Sequence, residues 1–177
     1  MTSPLQSLRA RYRTSRLFRW TADLLMLALL VWVVGLFQTR NHARGVAPAY
    51  AFSTLEGGSS SFGDLAGKPT IVAVWAPWCS VCKAESDNVS RVRRWLGDRA
   101  HVVSVATAFE DVSQVRAYMA AQQVDYPVLL ARDDFSQVMG IGAFPTVFVL
   151  DAKGNVVSSM QGYTTTLGLY LRALLLT

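Results

Sequence analysis

The sequence predicts an α/β domain with a mixed central sheet, preceded by one membrane-spanning helix. Three observations predict it. Strand-like apolar runs alternate with helical patterns after residue 50, a turn joins the last two strand-like runs, and a long apolar stretch stands near the N-terminus. A chain of 177 residues that is 51% hydrophobic can build one packed core with an accessory segment.

Residues 20–37 read W-T-A-D-L-L-M-L-A-L-L-V-W-V-V-G-L-F, with no charge after Asp23. At ~1.5 Å per residue such a helix spans most of a ~30 Å hydrocarbon core. Arg9, Arg11, Arg13, Arg16 and Arg19 precede it and Arg40 and Arg44 follow, so the positive-inside rule puts the N-terminus in the cytoplasm and the domain across the membrane. The expected organisation is a basic cytoplasmic segment at 1–19, a bilayer anchor at 20–37, a polar tether at 38–49 and a domain at 50–177. Asp23 lies one turn from Arg19 and can pair with it. His42, in the tether, reads as a solvated side chain. A cleaved signal peptide is the alternative, since Ala47-Pro48-Ala49 resembles a small-residue cleavage site, although it lies far beyond the apolar run. A buried core helix is a third reading, which the arginine-rich flank opposes. No cysteine stands directly after the stretch, the first in the chain being Cys79, which excludes a lipoprotein anchor.

Charge separates these parts. Residues 1–44 hold seven Arg against Asp23, a net of +6, whereas the whole chain carries +5 and the remainder therefore −1. The basic character belongs to the leading segment, and a nucleic-acid partner loses its main support.

Strands are predicted at 50–55, 70–75, 101–107, 127–130, 146–150 and 156–160, and helices at 80–96, 111–123, 135–139 and 164–175. Lys153-Gly154-Asn155 makes 146–160 a hairpin. The run G-G-S-S-S at 57–61 reads as a flexible loop.

The only two cysteines are Cys79 and Cys82. A buried-strand pattern, I-V-A-V-W, is broken by Ala76-Pro77-Trp78, and Cys79-Ser80-Val81-Cys82 then opens a helix. A thiol there meets unpaired backbone N–H groups and the positive end of the helix dipole, which favour thiolate. Cys79 is thus the expected nucleophile, and Cys82, on the same face but farther in, the resolving thiol. A structural disulfide and half of a copper or zinc site remain as alternatives, weakened by the lack of a third thiol and of a nearby His in sequence.

The run W-A-P-W-C-S-V-C-K resembles the active-site signature of thioredoxin-fold proteins, and more closely that of the membrane-tethered TlpA/ResA/DsbE group, with ScsD-like proteins as a candidate branch. Gly67-Lys68-Pro69 before the active-site strand and Phe144-Pro145-Thr146 before the hairpin match as well. The interval of 63 positions from Cys82 to Pro145 leaves room for the extra strand and helix of the tethered group.

The resemblance implies a thioredoxin-like fold, three-layer α/β/α, in a periplasmic domain anchored to a bacterial inner membrane. It implies a cis Phe144–Pro145 bond facing the cysteines, with Trp78, Phe144 and Pro145 forming a groove that pairs loosely with a substrate strand. Phe144 is bulkier than the usual residue there and is expected to narrow that groove. Ala73 stands where classical thioredoxin has a buried Asp. Glu85 matches a glutamate of ResA-like members and is expected to replace that Asp as catalytic carboxylate, the alternative being an ordinary acidic residue in the first helical turns.

The expected activity is thiol-disulfide exchange with disulfide-containing client proteins, reset by a membrane thiol reductant, with no cofactor and no metal. The absence of His between the cysteines favours the reducing direction. Apocytochrome c and copper-stress proteins are the clients that the resemblance suggests. Net disulfide oxidation is one alternative, and a copper- or zinc-binding module is the alternative from another class.

Overall fold

The computed structural model describes residues 16–175, in two units that divide after Gln38. The basic residues Arg9, Arg11 and Arg13 lie outside the described residues. Helix α1 (Arg16–Gln38) makes up the described part of the first unit. It is 23 residues long, buries none of them, and is long and apolar enough to cross a membrane.

The second unit contains the strands β1 (Gly45–Val46), β2 (Phe52–Thr54), β3 (Ser59–Ser60), β4 (Thr70–Trp75), β5 (His101–Ala106), β6 (Val128–Leu130), β7 (Thr146–Leu150) and β8 (Asn155–Gln161). Its helices are α2 (Ser80–Leu96), α3 (Val112–Ala121), α4 (Phe135–Met139) and α5 (Thr166–Leu174). The strands form one mixed sheet in the order β1-β8-β7-β4-β5-β6-β2-β3.

Strand β4 is central because all six of its residues are buried, parallel to β5 on one side and antiparallel to β7 on the other. An unbroken apolar run suits a strand covered on both faces. Val72 and Val74 face one layer with Tyr50, Phe52, Phe62, Phe135 and Phe148. Ile71 and Ala73 face the other, packing with Val89, Val92 and Leu96 of α2 and with Leu169 and Ala173 of α5. The expected three-layer arrangement is therefore present. The β7–β8 hairpin closes where expected, with the Asp151 carboxylate accepting the backbone N–H groups of Lys153 and Asn155, each at 2.9 Å.

Two expectations need correction. The segment 38–49 is no free tether. Ala43 donates its N–H to the Met139 carbonyl at 3.0 Å, Ala47 donates to Gly154 at 3.1 Å, and β1 pairs with β8. His42 is only 4% exposed, against the expectation of a solvated side chain. Backbone pairing at a sheet edge needs no apolar periodicity, so composition did not signal it. Similarly, 57–61 is part of a hairpin in which Ser59 and Ser60 pair with Ser53 and Phe52, and the Gly58 N–H is held by Thr54 Oγ1 at 3.0 Å. The sheet thus has eight strands where six were expected, both additions being two residues long. The last helix begins at Thr166, because the Thr165 hydroxyl caps it by accepting the Gly168 N–H.

Phe135 is fully buried and packs edge-on against Tyr50 and Phe52 at ring distances of 4.9 and 5.5 Å. Phe135→Ala is expected to lower unfolding free energy by about 3–5 kcal/mol in chemical denaturation of the oxidised protein, and a loss under ~1 kcal/mol would contradict this packing.

Candidate active site

The site is built where β4 ends. Trp75 completes the strand, Ala76-Pro77-Trp78 turn the chain, and Cys79 becomes the N-cap of α2. The turn is fixed by Cys79 N–H donating to the Ala76 carbonyl at 3.0 Å, and the cap by Cys79 Sγ accepting the Cys82 N–H at 3.1 Å. Cys79 and Cys82 are joined in a disulfide, their Cα atoms 5.3 Å apart. Both are buried, Cys82 more deeply. The helix N-terminus that holds Cys79 stabilises negative charge on its sulfur once the bond opens.

The Phe144–Pro145 bond is cis. Val74 pairs with Thr146 in the sheet, which brings Pro145 beside the end of β4 and the start of the cysteine turn. Pro145 itself is buried and its carbonyl accepts the Gly162 N–H at 2.8 Å. Phe144 packs against the cluster containing both cysteines and meets the Trp78 ring edge-to-face at 5.8 Å. Trp78 is 67% exposed, so this pair forms an apolar platform on the surface next to the disulfide. The Trp78 indole N–H donates to the Ala108 carbonyl at 3.0 Å, and Ala108 holds a positive φ of 53°. A non-glycine residue in that region carries strain that the surrounding fold must impose.

Glu85 lies one turn beyond Cys82 on the buried face of α2 and is 3% exposed. Its carboxylate accepts the Thr164 N–H at 2.7 Å. Burial pushes its pKa up from 4.5 to about 7, with the Thr164 hydrogen bonds opposing. Ala73, also buried, places no carboxylate on β4.

The sequence reading did not single out the groups around Glu85. Ser86, four residues after Cys82, shares a hydrogen bond with the Tyr126 hydroxyl at 2.9 Å. Tyr118, from α3, stacks on Trp75 at 3.9 Å. Asn88 donates to Tyr163 and to the Thr164 carbonyl at 2.8 and 2.9 Å, tying α2 to the loop before α5. Helical spacing from Cys82 was the one available signal for Ser86. Beside the site, a cleft of about 650 Å³ opens between the start of α2 and α3, lined by Pro77, Trp78, Lys83, Glu110, Gln114 and Tyr118.

A disulfide that caps a helix at the end of a central strand, with a cis proline alongside, is equipped for thiol-disulfide exchange, and the mixed sheet makes the molecule a thioredoxin-fold oxidoreductase. The chain belongs to the Redoxin family, which it matches over residues 43–169. It is similar to the thioredoxin-like protein YneN of Bacillus subtilis (strain 168), 30% identical over 157 residues, which cover 83% of this chain and 92% of YneN. It is also similar to the thiol-disulfide oxidoreductase ResA of Geobacillus thermodenitrificans, at 26% identity over 148 residues, which cover 80% of this chain and 84% of ResA. Among solved structures, a thiol:disulfide interchange protein of the thioredoxin family from Chlorobium tepidum TLS superposes with a TM-score of 0.65 and 29% identity, over 76% of this chain and 97% of that one. The expected thioredoxin-like, TlpA/ResA/DsbE-type assignment therefore stands, and the chain is a thiol-disulfide oxidoreductase with Cys79 and Cys82 as its pair.

The raised pKa of Glu85 carries a sign for stability. Between 4.5 and about 7 the folded protein holds a proton there that the unfolded chain has released, so stability falls as pH rises through that window. Unfolding at about pH 5 and about pH 8 should show a decrease of roughly 1–3 kcal/mol from this group, and Glu85→Gln should remove most of it. Equal pH slopes for the two proteins would contradict the burial of an ionisable carboxyl.

Proposed function

We propose that this protein is an anchored extracytoplasmic reductase of protein disulfides. The observation that carries the reading is the pairing of Cys79, at the N-terminus of α2, with the buried Glu85 carboxyl one turn beyond Cys82. Helix α1 supplies the anchor in the inner membrane, with the arginine-rich N-terminus in the cytoplasm and the domain in the periplasm; its length and composition support this, as do the arginines before it.

In the working cycle Cys79 thiolate attacks a client disulfide, one client sulfur leaves as thiolate, and a mixed disulfide forms. Cys82 then loses its proton to Glu85 and displaces the client from Cys79, which leaves the client as dithiol and the pair as disulfide. A membrane-bound dithiol protein reduces Cys79–Cys82 again. Glu85 suits the proton transfer because a carboxyl with a pKa of about 7 both takes and returns a proton at neutral pH.

Trp78, Phe144 and Pro145 form the client groove. Backbone beside the cis proline pairs with an extended client segment, and the exposed Trp78–Phe144 platform takes an apolar neighbour of the client cysteine. With Ser80 and Val81 between the cysteines, no imidazolium stabilises the Cys79 thiolate, which favours reduction over net oxidation. Apocytochromes and copper-stress proteins are client classes of the kind such a reductase serves.

A redox titration of the full chain in detergent against glutathione tests the direction. The pair should remain oxidised until the buffer is strongly reducing, below the ~−200 mV range of glutaredoxins. A midpoint near the ~−120 mV of strong oxidants would overturn reduction in favour of oxidation. Glu85→Gln should slow client reduction at neutral pH by ~10²-fold or more while leaving the first attack by Cys79 nearly intact. An unchanged overall rate would remove Glu85 from the catalytic set.

A further inference from the structure

The residues just after α1 pack against the backbone at Met139–Gly140, where the chain leaves α4 towards Pro145. The carbonyl oxygen of Asn41 occupies the place a side chain at Gly140 would need, 1.9 Å from an ideal Cβ, and Gly140 has a φ of +69°. Glycine alone fits there. Next to it, the Ala43 N–H bonds to the Met139 carbonyl. Between these two contacts His42 turns inward, its ring 5.5 Å from that of Phe148 in β7, the strand that continues from Pro145. Gln161, in β8, pairs with Thr146, and its neighbour Gly162 donates to the Pro145 carbonyl.

His42 has no conventional role there. Both ring nitrogens are buried without a hydrogen-bond partner of good geometry, as is Oε1 of Gln161, although the ring and the Gln161 side chain interact. An imidazole so placed is tolerated only while it is neutral. The groups facing it from β7, β8 and the Met139–Gly140 backbone carry no charge, and Arg44 on its own segment repels a second cation.

We propose that His42 is a positioning residue: buried and neutral, it clamps the segment 41–46 behind the loop 140–145 and so holds the client groove in shape, and protonation releases the clamp. The clamp itself follows from the packing. Only its effect on clients rests on the groove assigned above.

The sign follows from burial, the largest cause, which with Arg44 lowers the His42 pKa from 6.5 against the opposing influence of the Gln161 side chain. Docking of the segment is at full strength above 6.5 and weakens as pH falls through the lower, docked value, because the released imidazole takes up the proton that the docked one resists. The device opens in acid.

Amide hydrogen exchange on the full chain in detergent micelles reads the clamp without any reference to activity. Protection at Ala43 and Ala47, corrected for intrinsic exchange, should fall by about tenfold or more between about pH 7.5 and about pH 5 in the wild type. It should stay level in His42→Phe, which is apolar at every pH. In Arg44→Ala, the fall should move to higher pH. Over the same range the rate with a protein disulfide, divided by the rate with a small aromatic disulfide, should drop in the wild type and not in His42→Phe. Level protection at Ala43 in the wild type, a fall in His42→Phe equal to that of the wild type, or an Arg44→Ala transition that does not move would overturn the proposal. A clamp that opens without any change in the rate ratio would overturn its link to the groove.

Discussion

The site depends on one constraint, that α2 must begin at the residue where β4 has just delivered the chain. Cys79 is the N-cap of that helix, and its sulfur accepts a backbone N–H that would otherwise lack a partner. The end of a helix dipole and its free amides are fixed charges, present before any reaction and needing no rearrangement when the disulfide opens. Strand β4 holds this position because β5 and β7 pair with it along its length, and the Val74–Thr146 register brings the cis proline to the same end. The helix-capping cysteine and the cis proline are thus two consequences of one strand's place in the sheet.

The two sulfurs stand in opposed surroundings. Cys79 meets the positive end of the helix, beside an exposed tryptophan. Cys82 lies deeper, on the face of α2 that carries Glu85 and Ser86, with the Tyr126 hydroxyl joined to Ser86. Environments that separate the proton affinities of neighbouring groups are what assign acid and base roles. The Asn88 hydrogen bonds hold the loop before α5 against this face, and the resulting burial keeps the Glu85 pKa raised although the Thr164 N–H opposes the rise.

The legible parts of the sequence were those whose chemistry is local. The run T-I-V-A-V-W has the composition of a doubly covered strand, and its predicted bounds agree with β4. The cysteine spacing and the Pro77 break located the start of α2, and Lys153-Gly154-Asn155 located the hairpin. What stayed hidden depends on partners distant in the chain. Gly45, Val46, Ser59 and Ser60 are strand residues only because β8 and β2 present free edges to them. His42 looked solvated because nothing in a polar stretch announces that Phe148, more than a hundred positions away, will cover it. The same holds for Tyr126, which sequence spacing does not connect to Ser86, and for Ala108, whose carbonyl fixes Trp78.

The central claim is that helix placement makes Cys79, and not Cys82, the reactive sulfur. Its most direct test is the rate at which each cysteine of the fully reduced protein is alkylated by iodoacetamide as pH is varied, with the modified residue located by peptide mass. The account predicts that Cys79 reacts first, with a midpoint below the ~8.5 of a free thiol, while Cys82 stays protected across the neutral range. Preferential alkylation of Cys82, or equal reaction of both at an ordinary thiol midpoint, would contradict it.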